Sequence, residues 1–407
     1  MNILLLGNGF DLYHKLPTRY DNFLHTIDFL VNNYKPEMKT IADVFGDSRL
    51  QNEDAFIGEC YNTHKTVYEN ITLDEYAIEQ LINLSKDNLW FRYLLKIFDN
   101  KVGWIDFEKE IAYVLDAFKA FLKKATVKVR FHEVNKEQTY IIKNFNFFLK
   151  DYNSGIVGGP SYSVIDDFTK EYPLGSGVIV VNKEKIINYL LEELNIVAKT
   201  LRLYLEAFVE PTLLGIKQHT LKKCPAITHI DKAISFNYTS SYEQFYLSSE
   251  IFHLHGDVKN KIIIGINPDS SDEITSIDVS FVKFKKYFQR TQYNTDLNYI
   301  NWLKEIKEPK QFTSLIVMGH SLDITDKDIL MELFNKMDEI MILYHSEQAK
   351  NTYISNLINM YGKEGLDVLR KQKGLTFLSL DMDFSDIVKK RSESSLEGIV
   401  KSWVTAI

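Results

Sequence analysis

Cysteine is almost missing from this 407-residue chain, with Cys60 and Cys224 the only two. Two thiols cannot build a disulfide scaffold or a four-cysteine zinc site. A surplus of positive charge is missing too. Lys and Arg number 48 against 55 Asp and Glu, a formal net charge of −7. No broad basic surface therefore recruits nucleic acid or anionic lipid, and nucleic acid is not expected as a partner. No run approaches the roughly 18 uninterrupted apolar residues that mark a membrane span. Met1-Asn2 leads straight into the apolar run Ile3–Leu6, without a basic region or a small-residue cleavage site. These absences give the expectation of a cytoplasmic protein with no membrane partner. Internal repeats and low-complexity tracts are absent as well.

What is present is ordinary globular composition, 45% apolar and 25% charged, on a chain long enough for one large α/β domain with insertions. Apolar runs of strand length stand at Ile3–Leu6, Ala233–Phe236, Ile251–Leu254, Lys261–Ile266, Ser314–Met318, Ile340–Tyr344 and Leu375–Leu380. They are apolar throughout rather than alternating, as strands buried on both faces are. Helical patterns separate several of them, at Asp296–Ile306, Asp326–Met337 and Ser346–Leu369. Strands alternating with helices predict a Rossmann-like, mainly parallel sheet with helices on both faces.

Between the first strand and the rest, the pattern becomes long helices. Phe107–Lys124 carries a helical stripe of Ile111, Val114, Leu115, Phe118, Phe121 and Leu122. Asn182 is placed to cap a helix running to Val209, where Pro211 should stop it. The stretch 151–177, rich in Gly, Ser, Tyr and Asp, has no periodicity and reads as a surface loop or a pocket lid. The expected organisation is an α/β domain from 1–22 plus 221–407, with a mainly helical insertion at 23–220 packed on it.

Polar residues cluster where apolar strands stop, which is where open α/β sheets bind ligands. Gly7-Asn8-Gly9-Phe10-Asp11 ends the first run. Gly7 permits a tight turn, and Gly9 would let a phosphate or ribose approach the backbone of a following helix N-terminus. The full dinucleotide fingerprint needs a third glycine, and Leu12 stands there. Asp11 would repel a phosphate, so it is either a helix cap or a ribose acceptor. Pro17 and Thr18 follow in a segment that cannot be regular helix and should fold over the turn.

Asn237 ends another run, and its amide can hold a water or a ribose hydroxyl. Gly256, after His255, opens the backbone beside that imidazole. His253 and His255, two apart on a strand, should face one side. That spacing admits a metal reading, with Asp257 or Asp11 completing the shell, but two cysteines and no further cluster at ligand spacing lead us to expect no metal. Gly319 and Ser321, in LIVMGHSLDITDKDIL, form a second strand–turn–helix that could take a phosphate or ribose. Asp326 and Asp328 there read as helix caps. Together these features read as a nucleotide pocket with an Asn–His pair, the site of a nucleotide hydrolase.

Several of these strings resemble one family. GNGFDLYHKLPTRYDNF, WIDFE at Trp104–Glu108, FNYTSSYE, HLHG and VMGHSLDITDKDIL resemble the bacteriophage abortive-infection AbiH family. More distantly, they are similar to the sirtuin-type NAD fold. GNG resembles its GAG turn, LPTRY its IPDFR segment, Asn237 the Asn of N-x-D, His255-Gly256 its catalytic His-Gly, and Gly319–Leu322 its GTSL turn. Thr239 stands for the Asp of N-x-D and Asp11 for a Ser of the first turn, and the zinc cysteines of deacetylases are absent.

The resemblance implies an antiphage protein with NAD as substrate, cleaved at the nicotinamide–ribose bond. His255 would be the base and Asn237 the positioning residue, with Gly7, Asn8, Gly9, Phe10, Asp11, Pro17, Thr18, Gly256, Gly319 and Ser321 lining the pocket. Two other readings stay open: a nucleotide or ADP-ribose sensor signalling through the helical insertion, and a metal-dependent hydrolase using His253 and His255. A phage-derived trigger and a homo-oligomer are left open as partners, and Glu108 reads by default as a surface helix residue, with a pocket carboxylate as the alternative.

Overall fold

The computed structural model describes residues 1–98, 107–124, 127–129, 136–145, 147–151, 161–216, 221–246, 250–266, 280–306 and 312–385. Its centre is a six-stranded sheet made of β1 (Asn2–Leu6), β2 (Lys232–Ser235), β3 (Glu250–His253), β4 (Ser314–Met318), β5 (Glu339–Tyr344) and β6 (Thr376–Ser379). All neighbouring pairs are parallel, in the order β6-β5-β4-β1-β2-β3. This is the doubly wound arrangement, whose strand order reverses between β1 and β4.

The continuous apolar runs are explained by burial on both sides. Leu4, Leu6, Ala233, Ile316 and Met318 pack on one face with residues of the helical segment. Ile3, Leu5, Ile234, Leu315 and Val317 pack on the other with Leu330, Leu333, Phe334 and Leu357. Alternate residues of a strand point to opposite faces, so a strand covered on both sides must be apolar throughout.

The expected strand at Lys261–Ile266 is not one. That segment turns back at Gly256, where φ is +77°, and its backbone pairs locally: Ile263 N–H donates to the His255 carbonyl at 2.9 Å and Gln289 Nε2 to the Ile264 carbonyl at 2.9 Å. A single bridge, Ile266 to Lys285, is all the ladder it makes.

Between β1 and β2 the described chain is mostly helical. Its helices include α1 (Gly9–Tyr13), α2 (Phe107–Lys124) and α3 (Lys183–Tyr204). Asn182 caps α3 through its side chain. Pro211 does not end the helical path. A π-turn at Leu205–Val209 re-phases the backbone, and Pro211 falls in the first turn of a further helix, Glu210–Gly215, where its missing N–H costs nothing. The stretch expected to be a loop also holds structure: Ser161–Val164 is a strand, and Thr169–Glu171 pairs with Ile179–Val181. Gly158, Gly159 and Pro160 lie outside the described residues. After β3 come α4 (Lys286–Tyr293), α5 (Lys327–Lys336) and α6 (Glu347–Gln372).

His14 follows α1 and is buried in a ring of Phe10, Tyr13, Phe245 and Tyr246. Burial, then the nearby His64, pushes its pKa down to about 3. The native state therefore binds fewer protons here than the unfolded chain does below the ordinary value of 6.5. Stability from this residue is present above pH 6.5 and falls as pH drops toward about 3, by up to about 1.4 kcal/mol per pH unit. His14→Phe should melt with a shallower acid dependence than wild type between pH 6.5 and 4.5; identical slopes would contradict the assignment.

Candidate active site

The strand reversal lies between β1 and β4, and the turns that leave these two strands touch. Gly7 N–H donates to the Met318 carbonyl at 3.1 Å, Gly9 N–H to the Gly319 carbonyl at 2.8 Å, and Phe10 N–H to the Gly7 carbonyl at 2.9 Å. The glycines are required by this approach. A Cβ on Gly9 would stand 2.7 Å from the Gly319 Cα, and one on Gly7 would stand 2.5 Å from the His320 Cα. Gly319 has φ +72°, and its Cβ would strike the Phe10 nitrogen. The N–H groups of Gly7, Gly9 and Phe10 are thus spent within and between the turns. Asn8 closes the outer edge, accepting from Thr18 Oγ1 at 2.6 Å, and the Pro17 carbonyl accepts from the buried Tyr204 hydroxyl at 2.7 Å.

Beneath this contact lie two polar groups, on either side of Phe236 and Asn237. The first centres on Asp11, which is wholly buried and caps nothing. It accepts from Thr239 Oγ1 at 2.7 Å and from Ser241 Oγ. Burial pushes its carboxyl up to about 7 against these donors, and the charge of Glu210 adds to the rise. Asn237 stands beside it. Its amide is close enough to favour the Asp11 carboxylate, yet among the described residues neither amide atom makes a well-formed hydrogen bond. Buried amides are normally paired.

The second group centres on Asp326. This residue precedes α5, but its side chain makes no cap. It turns inward, with Oδ1 at 3.3 Å from His255 Nε2 and 3.1 Å from Lys286 Nζ; Oδ2 lies 3.5 Å from His320 Nε2. Lys286, at the start of α4, also meets Glu108 Oε1 at 2.7 Å. The Phe236 ring stands edge-on between the two imidazoles, its centroid 4.9 Å from His255 and 4.4 Å from His320.

Charge settles how the second group is protonated. Burial works to raise the Asp326 pKa, but Lys286 and then His255 outweigh it and hold the carboxyl well below its usual range. Burial, then Lys286, lowers His255 to about 4, against the pull of Asp326. At neutral pH His255 is therefore an uncharged imidazole facing a carboxylate. The 3.3 Å approach of Nε2 to Oδ1 falls short of a well-formed hydrogen bond, but a proton on Nε2 is the arrangement the carboxylate favours, and it leaves the lone pair on Nδ1. His320 is oriented likewise, because its Nδ1 accepts the Leu322 N–H at 2.9 Å.

The sequence reading grouped His253 with His255, and the structure separates their partners. His253 Nδ1 is 3.1 Å from the Asn237 carbonyl and Nε2 is 2.8 Å from Glu243. Burial opposes its charge, and Glu243 more than restores it, so its pKa is raised. Asp257 is engaged with Asn260 and the Lys259 N–H. Among the described residues no group of three or more His, Cys, Asp or Glu is suited to a metal. The positive charge beside Asp326 and Glu108 is an ammonium.

Gly256 serves the backward turn, where a Cβ would strike the Lys261 carbonyl. Ser321 is exposed, and its carbonyl accepts from Asn356 at 2.9 Å. Lys286, His320 and the inward role of Asp326 were missed in the sequence: Lys286 is one of several lysines between Lys283 and Lys286, and an Asp before a helix reads as a cap. A cavity of about 840 Å³ opens elsewhere, on the helical segment, lined by residues such as Arg92, Lys185 and Tyr189. It contains none of the site residues.

The comparisons agree with the strings that make this site. The model of the family described as bacteriophage abortive infection AbiH matches residues 3–345. The chain belongs to the AbiH family. The match runs from β1 past β5 and takes in every side chain of both polar groups. No match was found among curated proteins or solved structures. No described helix of this AbiH protein is long and apolar enough to cross a membrane.

The glycine contact makes a direct prediction. Gly319→Ala should lower stability by about 1–3 kcal/mol, from backbone strain at positive φ and the clash with Phe10. Thermal melts will read it, and Gly9→Ala should act in the same direction. An unchanged melt for both variants would contradict the packed-turn geometry.

Proposed function

We propose that this AbiH protein hydrolyses NAD at the nicotinamide–ribose bond, within the antiphage role for which the family is named. One observation carries the reading. Asn237, with a buried and unpaired amide, stands beside the turns at the strand reversal, and the neighbouring segment supplies a neutral histidine held by a carboxylate. The chemistry needs both. The oxygen of a water attacks C1′ of the nicotinamide ribose, the C1′–N bond breaks, and nicotinamide leaves with the bonding pair. His255 Nδ1 takes the proton of that water and later passes it to solvent, giving ADP-ribose. Asn237 holds the ribose or the water. Asp326 keeps the His255 ring in the tautomer that can accept the proton.

The likeness to sirtuin-type strings gains support from one contact. The two positions where this chain differs, Asp11 and Thr239, are hydrogen-bonded to each other. The two departures thus fall on residues that touch, one carboxylate and one hydroxyl at the contact between turn and strand end. A sensor that binds a nucleotide without turnover is the second reading. It draws on the direct contact of Glu108, on α2, with Lys286, which links the site to the helical segment.

NAD consumption and nicotinamide release decide between them. His255→Ala and Asn237→Ala should each remove most turnover, the histidine about 10²–10⁴-fold, while still melting cooperatively. The assay belongs both on purified protein and in phage-infected cells. Equal protection by wild type and His255→Ala, with NAD level in both, would sink the hydrolase reading. NAD retained without product after long incubation would establish the sensor instead.

A further inference from the structure

The first turn of α2 lies on the site through three consecutive residues. The Phe107 ring stacks on Tyr20 at 4.5 Å between centroids, and the Tyr20 hydroxyl is 3.3 Å from that of Tyr238. Glu108 meets Lys286. Lys109 Nζ is 3.8 Å from Asp323 Oδ2, in the turn leading to Asp326. Of these, only the Glu108 contact reaches the buried charges, since the Lys109 pair is exposed and counts for little.

We propose that Lys286 is a positioning residue whose ammonium is divided between Asp326 and Glu108, so that docking of α2 sets how Asp326 holds His255. With α2 docked, Glu108 takes part of the ammonium and leaves Asp326 oxygens for the two imidazoles. With α2 lifted, Lys286 turns wholly to Asp326 and competes with His255 for the same oxygen, Oδ1. The helical segment thereby regulates the base as well as covering it. Asn237 and His255 are each less than a tenth exposed, so a nucleotide can enter only when some cover moves. The proposal takes His255 as the base and so rests on the reading above.

Among the described residues, several charged groups bear on His255. Asp326 and Lys286 meet it directly in space or charge, and Arg290 adds a more distant positive charge. His320 shares Asp326, while Glu108 and Tyr238 act through Lys286. The experiment is an NMR pH titration of the full chain labelled at histidine, with the His255 ring assigned by its loss in His255→Gln. Lys286→Met should raise the His255 midpoint by about one to three units, because an uncompensated carboxylate then faces the ring. Lys286→Arg should restore the wild-type midpoint.

Glu108→Gln should move the midpoint the other way, since a negative charge leaves. If Lys286→Met does not melt cooperatively, Lys286→Met combined with Glu108→Gln removes one charge of each sign and should still raise the midpoint. An unchanged midpoint in folded Lys286→Met, or in the double variant where Lys286→Met does not fold, would overturn the proposal. The titration needs no turnover. A shifted midpoint in a protein that never cleaves NAD would remove the catalytic reading and leave the positioning role standing.

Discussion

One buried carboxylate organises this molecule's polar centre. Asp326 sits where water cannot stabilise its charge, and a lone carboxylate there would protonate or be excluded. It stays ionised because Lys286 and two imidazoles surround it. The ammonium is itself wholly buried and needs more than one anion, which brings Glu108 across from α2. Removing one member of such a pair typically costs about 3–5 kcal/mol, through the partner left stranded. The elements that carry these residues, α2, α4, α5 and the turn after β3, are thus tied by charge at a single point, besides their apolar packing.

The second constraint is backbone proximity. Two strand ends at the reversal of the sheet meet without side chains between them, because Gly7, Gly9 and Gly319 allow it. That contact brings the Asp11–Asn237 group and the Asp326 group to the same end of the sheet, joined by Phe236. Asp11 titrates near neutrality and His255 well below it.

The sheet was legible because strands buried on both faces are continuous apolar runs, and all six strands stand where such runs stand, although the edge strands β3 and β6 are only partly covered. The same rule misled at Lys261–Ile266. An apolar run reports burial, and burial there comes from folding back over His255 rather than from the ladder. Pro211 misled for a related reason: the proline rule is local, and the π-turn that evades it leaves no pattern. The glycines were recognised as special, yet their partner is another glycine some 300 positions away, a pairing invisible to spacing. Asp326 and Lys286 were the hardest to see. Each has a common local explanation, a cap and a surface lysine, and only the tertiary fold shows two charges that satisfy each other.

The central claim is that the end of the sheet at the β1–β4 reversal takes NAD against Asn237 and His255. A crystal structure of the full chain with a non-hydrolysable carbocyclic NAD analogue tests it most directly. The account predicts the nicotinamide ring and its adjoining sugar mimic between the Asn237 amide and His255, with the first turn of α2 moved off Lys286 to admit them. An analogue seated instead in the cavity lined by Arg92, Lys185 and Tyr189, with Asn237 still unpaired, would contradict it.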